Sequence, residues 1–146
     1  MRSPEELTEL FRQSGRKVTP QRQFIFQVLH RNPTHPTAES VYAAARSVMP
    51  TISLKTVYQT LNDLADMGEV AALDLGTGSV RFDPDTGSHH HLVCSSCGAV
   101  RDLFADFSSV VVPTGQEQGF VVGEAEVVFR GTCESCLSRP RPPAAP

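Results

Sequence analysis

Apolar positions recur at helical spacing four times in the first half of the chain. The start Ser3-Pro4-Glu5-Glu6 has the form of a capping box with proline at the first helical position, and Leu7, Leu10 and Phe11 follow on one face. Gly15 breaks that helix. Thr19-Pro20 repeats the cap-plus-proline start, and Phe24, Ile25, Val28 and Leu29 make the next apolar face. After a turn through Asn32-Pro33, Thr37 caps a third helix carrying Val41, Tyr42, Ala45 and Val48, and Pro50 ends it. Ser53 opens a fourth, with Leu54, Val57, Leu61 and Leu64 as its buried stripe and Gly68 past its end. The period then shortens. Two β-rich runs, 70–75 and 79–82, are joined by Gly76-Thr77-Gly78, a hairpin signal. Helices followed by a hairpin are the order of a winged helix-turn-helix; an ordinary helical domain with a β-ribbon shares the pattern.

The second half is built differently. Residues 83–90 are polar and turn-rich and read as a hinge. Strand-like runs cover 91–93, 99–104 and 120–129, and 106–118 is expected to be a crossing helix in an α/β unit. Val110-Val111-Val112-Pro113 and Gly115 make that helix weak or short. The expected class is α+β: a winged-helix domain over 1–82, a small α/β domain over 91–137, and a disordered Pro-rich tail over 138–146.

A chain of 146 residues can hold one core or two small ones. No run of about 18 apolar residues is present to span a membrane, and the polar start (Arg2, Ser3, Pro4, Glu5, Glu6) is unlike a secretory signal. A cytoplasmic protein is expected. The net charge of −3 argues against a nucleic-acid binder, but the distribution of that charge points the other way. Between Arg12 and Tyr58 stand Arg12, Arg16, Lys17, Arg22, Arg31, Arg46 and Lys55 against Glu39 alone, a balance of +6. From Asp83 onward four arginines face eight acids, a balance of −4. Two jobs on one chain follow. On the fourth helix the face opposite the apolar stripe shows Lys55, Thr56, Tyr58, Gln59 and Asn62, side chains able to bond phosphates and base edges. Arg16, Lys17 and Arg22 stand ahead of it as candidate phosphate contacts.

The four cysteines form two Cys-x-x-Cys pairs, Cys94/Cys97 and Cys133/Cys136, which can close tetrahedrally around one structural Zn(II). Two disulfides or four buried thiols are the plainer alternatives. Upstream, His89-His90-His91 offers ligands of another type, so a second metal of different character is expected. On an extended segment His89 and His91 share a face while His90 points away.

Three segments carry a resemblance: Arg16-Lys17-Val18-Thr19-Pro20-Gln21-Arg22; the helix over 53–67 with Thr56-Val57-Tyr58 inside it; and His89-His90-His91-Leu92-Val93-Cys94-Ser95-Ser96-Cys97-Gly98. In order and spacing they resemble the ferric uptake regulator (Fur) superfamily, from about Glu5 to Cys136. The resemblance implies a homodimeric, metal-dependent transcriptional repressor and no enzyme. Its winged helix would bind double-stranded DNA at a palindromic operator, and its α/β domain would dimerise. It also implies a regulatory Fe(II) or Mn(II) held by His35, Asp83, His89, His91 and Asp102, which would fix the angle between the domains. Aspartate at 83 and 102 is similar to the peroxide-sensing (PerR) branch; iron sensors more often carry glutamate at one or both. In that branch iron-driven oxidation of a ligand histidine, here His35 or His89, releases DNA. A further metal site of the family maps to Ser88, His90, Ser109 and Ala125, and is read as absent because only His90 could ligate.

An iron- or manganese-responsive repressor without peroxide sensing is the nearest alternative. A zinc hydrolase would need an open metal position, a base and a pocket, and the chain has no HExxH pattern. A thiol oxidoreductase would need a thioredoxin-like βαβ start, which is missing here.

Overall fold

A computed structural model describes residues 1–138, and the chain divides into two compact units, Met1–Gly87 and a second beginning at Ser88. Beyond Ser138, the expected tail lies outside the described residues.

The first unit holds four helices, α1 (Pro4–Gln13), α2 (Pro20–Leu29), α3 (Ala38–Val48) and α4 (Leu54–Asp66), then an antiparallel hairpin of β1 (Ala71–Leu73) and β2 (Arg81–Asp83). Each helix starts where a short polar side chain takes up a free backbone N–H. The Oγ of Ser3 accepts from Glu6 N–H while the Glu6 carboxylate accepts from Ser3 N–H, completing the capping box. Thr19, Thr37 and Ser53 accept in the same way from Arg22, Ser40 and Thr56. Gly15 and Gly68, at φ of 72° and 70°, turn the chain out of α1 and α4 in the left-handed region that side chains rarely enter.

The apolar stripes meet in one core of Leu7, Phe11, Ile25, Phe26, Leu29, Val41, Ala45, Ile52, Val57, Leu61, Leu64, Val70 and Phe82, all buried. Phe11 and Phe26 meet edge to face at 4.9 Å. The strands are shorter than expected, and residues 74–80 form a longer wing loop than the three-residue turn the glycines suggest.

Here β2 also fixes the segment that follows α2. Phe82 N–H donates to the Pro36 carbonyl at 3.0 Å, and the Arg81 guanidinium donates to the His35 carbonyl at 3.3 Å. His35 itself sits at a φ of 49°, an uncommon conformation for a residue with a Cβ. These bonds from β2 hold it there.

The second unit is a three-stranded sheet in the order β4–β3–β5, from β3 (His90–Cys94), β4 (Val100–Leu103) and β5 (Val128–Gly131), followed by the single turn α5 (Glu134–Leu137). β3 pairs antiparallel with β4 and parallel with β5. A parallel neighbour demands a long crossover, and residues 104–127 make it without the expected helix. Three β-branched valines, Pro113 without an N–H, and left-handed backbone at Gly115, Gln118 and Gly119 oppose helix formation there. Isolated turns remain, such as Val110 N–H to Phe107 O. The strand expected over 120–129 contracts to β5. Buried apolar side chains in this unit are few (Val93, Cys94, Val100), while Phe104, Val111, Phe120 and Val121 are largely exposed. No helix among the described residues is long and apolar enough to cross a membrane.

Candidate metal centres and nucleic-acid interface

The four thiols converge. Cys94 ends β3, and its carbonyl accepts from Gly98 N–H at 2.8 Å, closing a tight knuckle through Cys97. Cys133 and Cys136 flank the start of α5 in a second knuckle, closed by Cys136 N–H to Cys133 O at 2.9 Å. All four sulfurs lie within 4.8 Å of one another, with Cys97 and Cys133 Sγ 3.7 Å apart. That is too long for a disulfide, and all four are free thiols. A tetrahedral zinc with bonds of about 2.3 Å holds its sulfurs about 3.8 Å apart, so the donor set fits that ion. Backbone N–H donors, first that of Cys133 at 3.3 Å, draw the Cys94 thiol down to about 6. Cys136 is pushed up to about 12, chiefly by its contact with the Cys133 sulfur. Four thiols this close cannot all ionise without a cation among them.

Of the five imidazole and carboxylate positions, two fall in the first unit. His35 Nε2 lies 3.2 Å from Asp83 Oδ2, and both side chains are almost wholly buried. Asp83 ends β2, and its Oδ1 accepts from Asp85 N–H at 2.8 Å. The other three fall in the second unit. His91 stands directly opposite Asp102 in the β3–β4 ladder, so both side chains leave the same face. His89 shares that face, its ring 4.6 Å from that of His91. Asp102 Oδ1 lies 3.4 Å from His89 Nε2 and 4.0 Å from His91 Nε2. His90 points away: its ring lies 4.9 Å from that of Phe107 and its Nδ1 accepts from Val127 N–H. Two imidazoles and a carboxylate on one shielded face suit a borderline divalent ion such as Fe(II) or Mn(II). One participant has no sequence signal. Glu126, in the crossover, places Oε1 2.8 Å from His91 Nδ1, and nothing in the sequence sets it apart from Glu117 or Glu124.

Beside His90 lies an open cavity of about 1020 Å³, lined in part by Ser88, Ser108, Glu124 and Ala125. Ser88 Oγ donates to Glu124 there.

On α4 the polar face is as expected. Lys55, Tyr58, Gln59 and Asn62 are exposed, and Thr56 is half-buried with its hydroxyl 2.9 Å from Ser53 Oγ. Tyr58 donates to Glu39 at 2.7 Å, which holds the carboxyl of Glu39 low and the phenol high. Lys17 is exposed.

Arg22 is engaged within the first unit. Its guanidinium is buried, 2.9 Å from Asp63, donating to the Lys17 carbonyl and lying over the Phe11 ring at 5.4 Å. A side chain so engaged ties α1, α2 and α4 together. Arg16 is half committed in the same way, 3.4 Å from Asp63.

Over 136 residues the chain is 35% identical to the peroxide-responsive repressor PerR of Staphylococcus aureus, covering 92% of each protein. Among solved structures, a zinc-bound manganese uptake regulator matches with a TM-score of 0.72 at 26% identity, over 90% of this chain and 99% of that one. The peroxide-sensing regulator PerR of Streptococcus pyogenes matches with a TM-score of 0.54 at 26% identity, over 93% and 94%. The model of the ferric uptake regulator family matches residues 13–129, and with the motifs and the fold in agreement the chain belongs to that family.

Proposed function

We propose that the protein is a cytoplasmic, homodimeric repressor that binds a palindromic DNA operator when metal is bound and releases it on peroxide exposure. The aspartate at 102, facing His89 and His91 from the neighbouring strand, carries this reading. It keeps the donor set hard and short, and the resemblance to PerR proteins points the same way.

In this reading His35 and Asp83 join His89, His91 and Asp102 in one regulatory site for Fe(II) or Mn(II), while Cys94, Cys97, Cys133 and Cys136 hold Zn(II). Bound iron would supply one-electron reduction of peroxide beside its imidazole ligands. His35 belongs to the DNA-binding unit and the three second-unit donors to the other, so losing one imidazole frees the two units from a shared restraint. An imidazole of His35 or His89 that gains an oxygen is a poorer donor. The bonds from β2 to His35 and Pro36 carry any change at His35 directly into the wing.

On DNA, α4 would enter the major groove, with Tyr58, Gln59 and Thr56 near base edges and Lys55 and Lys17 on phosphates. Exposed Phe104, Val111, Phe120 and Val121 support burial against a second copy, and twofold symmetry calls for a palindrome.

The test is DNA binding by Fe(II)- and Mn(II)-loaded protein before and after brief peroxide, with mass spectrometry of the peptides holding His35 and His89. Loss with iron alone, and one added oxygen on either histidine, is expected. Equal resistance of both forms would leave an iron- or manganese-responsive repressor. Metal-independent binding would remove the regulatory site altogether.

A further inference from the structure

We infer that Glu126 sets the tautomer of His91 and so turns Nε2, the correct nitrogen, toward the regulatory metal. The inference rests on the reading of His89, His91 and Asp102 as donors.

The two ring nitrogens of His91 face different groups. Nδ1 lies 2.8 Å from Glu126 Oε1, and Nε2 lies 4.0 Å from Asp102 Oδ1 on the side shared with His89. An ionised carboxylate can only accept, so a hydrogen bond of that length places the proton on Nδ1. A neutral imidazole carries one N–H; with it on Nδ1, Nε2 keeps its lone pair. The ring is then fixed in the form that can donate to a cation beside Asp102.

Glu126 is delivered there by backbone, not by the chance reach of a long side chain. His91 N–H donates to the Val127 carbonyl at 3.1 Å, Val127 N–H donates to His90 Nδ1 at 3.2 Å, and the parallel ladder opens with Val128 opposite His91. The residue just before this clamp is therefore held alongside the His91 ring. The other acids of the crossover are occupied elsewhere: Asp106 accepts from Ser108 N–H, Glu117 from Gly115 N–H and Glu124 from the Ser88 hydroxyl.

The side chain of Glu126 is 45% exposed against 3% for His91. The Glu126 side chain stays partly hydrated, while the imidazole it faces is shielded. Glu126 is thus a positioning residue acting through His91, and partners of this kind typically change metal affinity 10–100-fold. A carboxylate on Nδ1–H also makes Nε2 a stronger donor than a backbone carbonyl would.

Two measurements on the full-length, zinc-loaded protein test this. Without added manganese, long-range proton–nitrogen NMR of the His91 ring should show the Nδ1–H tautomer, and Glu126→Ala should convert it wholly or partly to Nε2–H. In Mn(II) titrations Glu126→Ala should raise Kd about 10–100-fold, and Glu126→Gln, whose amide oxygen still accepts, should fall between it and the wild type. Zinc content should stay unchanged in both. Wild-type His91 found as Nε2–H, or a Glu126→Ala protein with unaltered tautomer and Kd, overturns the inference. If His89→Ala leaves Mn(II) binding unchanged, the metal-site reading itself fails and the inference with it. His89-dependent binding that ignores Glu126 sinks only the inference.

Discussion

Arg22 carries a full charge at the junction of α1, α2 and α4, and replacing it tests whether that charge holds the helices or the DNA. Arg22→Ala removes a charge-assisted hydrogen bond to Asp63 at 2.9 Å, worth about 1.5–3 kcal/mol. It also removes the guanidinium from over Phe11 at 5.4 Å, worth about 0.5–1 kcal/mol, and leaves space where the stem packed. Arg16 still lies 3.4 Å from Asp63, and that carboxylate is 22% exposed, so the stranded charge is partly relieved. The net loss should be about 3 kcal/mol, or a fall in Tm of roughly 12–24 °C for a unit of this size. Asp63→Asn should cost about 2 kcal/mol, and the double variant should cost less than the sum by about 1 kcal/mol, because both remove one interaction. DNA binding separates this from a phosphate contact. Lys55→Ala should reduce the slope of log affinity against log salt by about 1, uniformly across sequences, while Arg22→Ala, assayed well below its melting temperature, should keep the wild-type slope. An Arg22→Ala protein that melts like the wild type and loses about one unit of salt slope would refute the structural role.

The remaining predictions concern the metal centres. Cys136→Ser leaves three thiolates and should lower zinc content, melting temperature and dimer fraction together, read by metal analysis, calorimetry and ultracentrifugation; unchanged melting in a stable dimer would count against a structural zinc. In the reduced, zinc-free protein, thiolate absorbance should show Cys94 ionising near pH 6 and Cys136 staying protonated to about pH 12. Because the Cys94 value is depressed on folding, its contribution to stability is present above about pH 8.5 and lost as pH falls through about 6; for Cys136, raised on folding, the contribution is present below about pH 8.5 and lost toward 12. Loss of the early titration in Cys94→Ser checks the assignment. Asp102→Glu should retain Mn(II)-dependent DNA binding but release DNA less readily when the iron form meets peroxide, and a wild-type peroxide response would show that carboxylate length does not matter.

How much of this is legible in the sequence depends on whether the signal is local. Helix starts at Ser3, Thr19, Thr37 and Ser53 need only the neighbouring three residues, and each cap forms as its sequence implies. The stripe of Leu54, Val57, Leu61 and Leu64 shows where local reasoning ends, since Leu54 at the first turn remains partly exposed while the other three are buried. The cysteine pairs are legible because a spacing of two constrains geometry by itself. The contacts of Arg22 are illegible for the opposite reason. Its partner Asp63 lies on α4, two helices further along the chain, and no spacing rule pairs a residue of α2 with one of α4. A charge count treats every arginine as available, yet an arginine beside a core phenylalanine and an acid on a neighbouring helix is spent on packing. The crossover departs from expectation differently. An α/β unit calls for a crossing helix over 106–118, but β-branching at 110–112 and a missing N–H at Pro113 act against it, and here the backbone terms win. Glu126 shows the deepest limit. Its importance comes from one strand-to-strand clamp, His91 to Val127, that brings it beside a ring 35 positions away. Only the ladder between β3 and β5 creates that contact, so a glutamate that looks like its neighbours in sequence acquires a distinct chemical role in the fold.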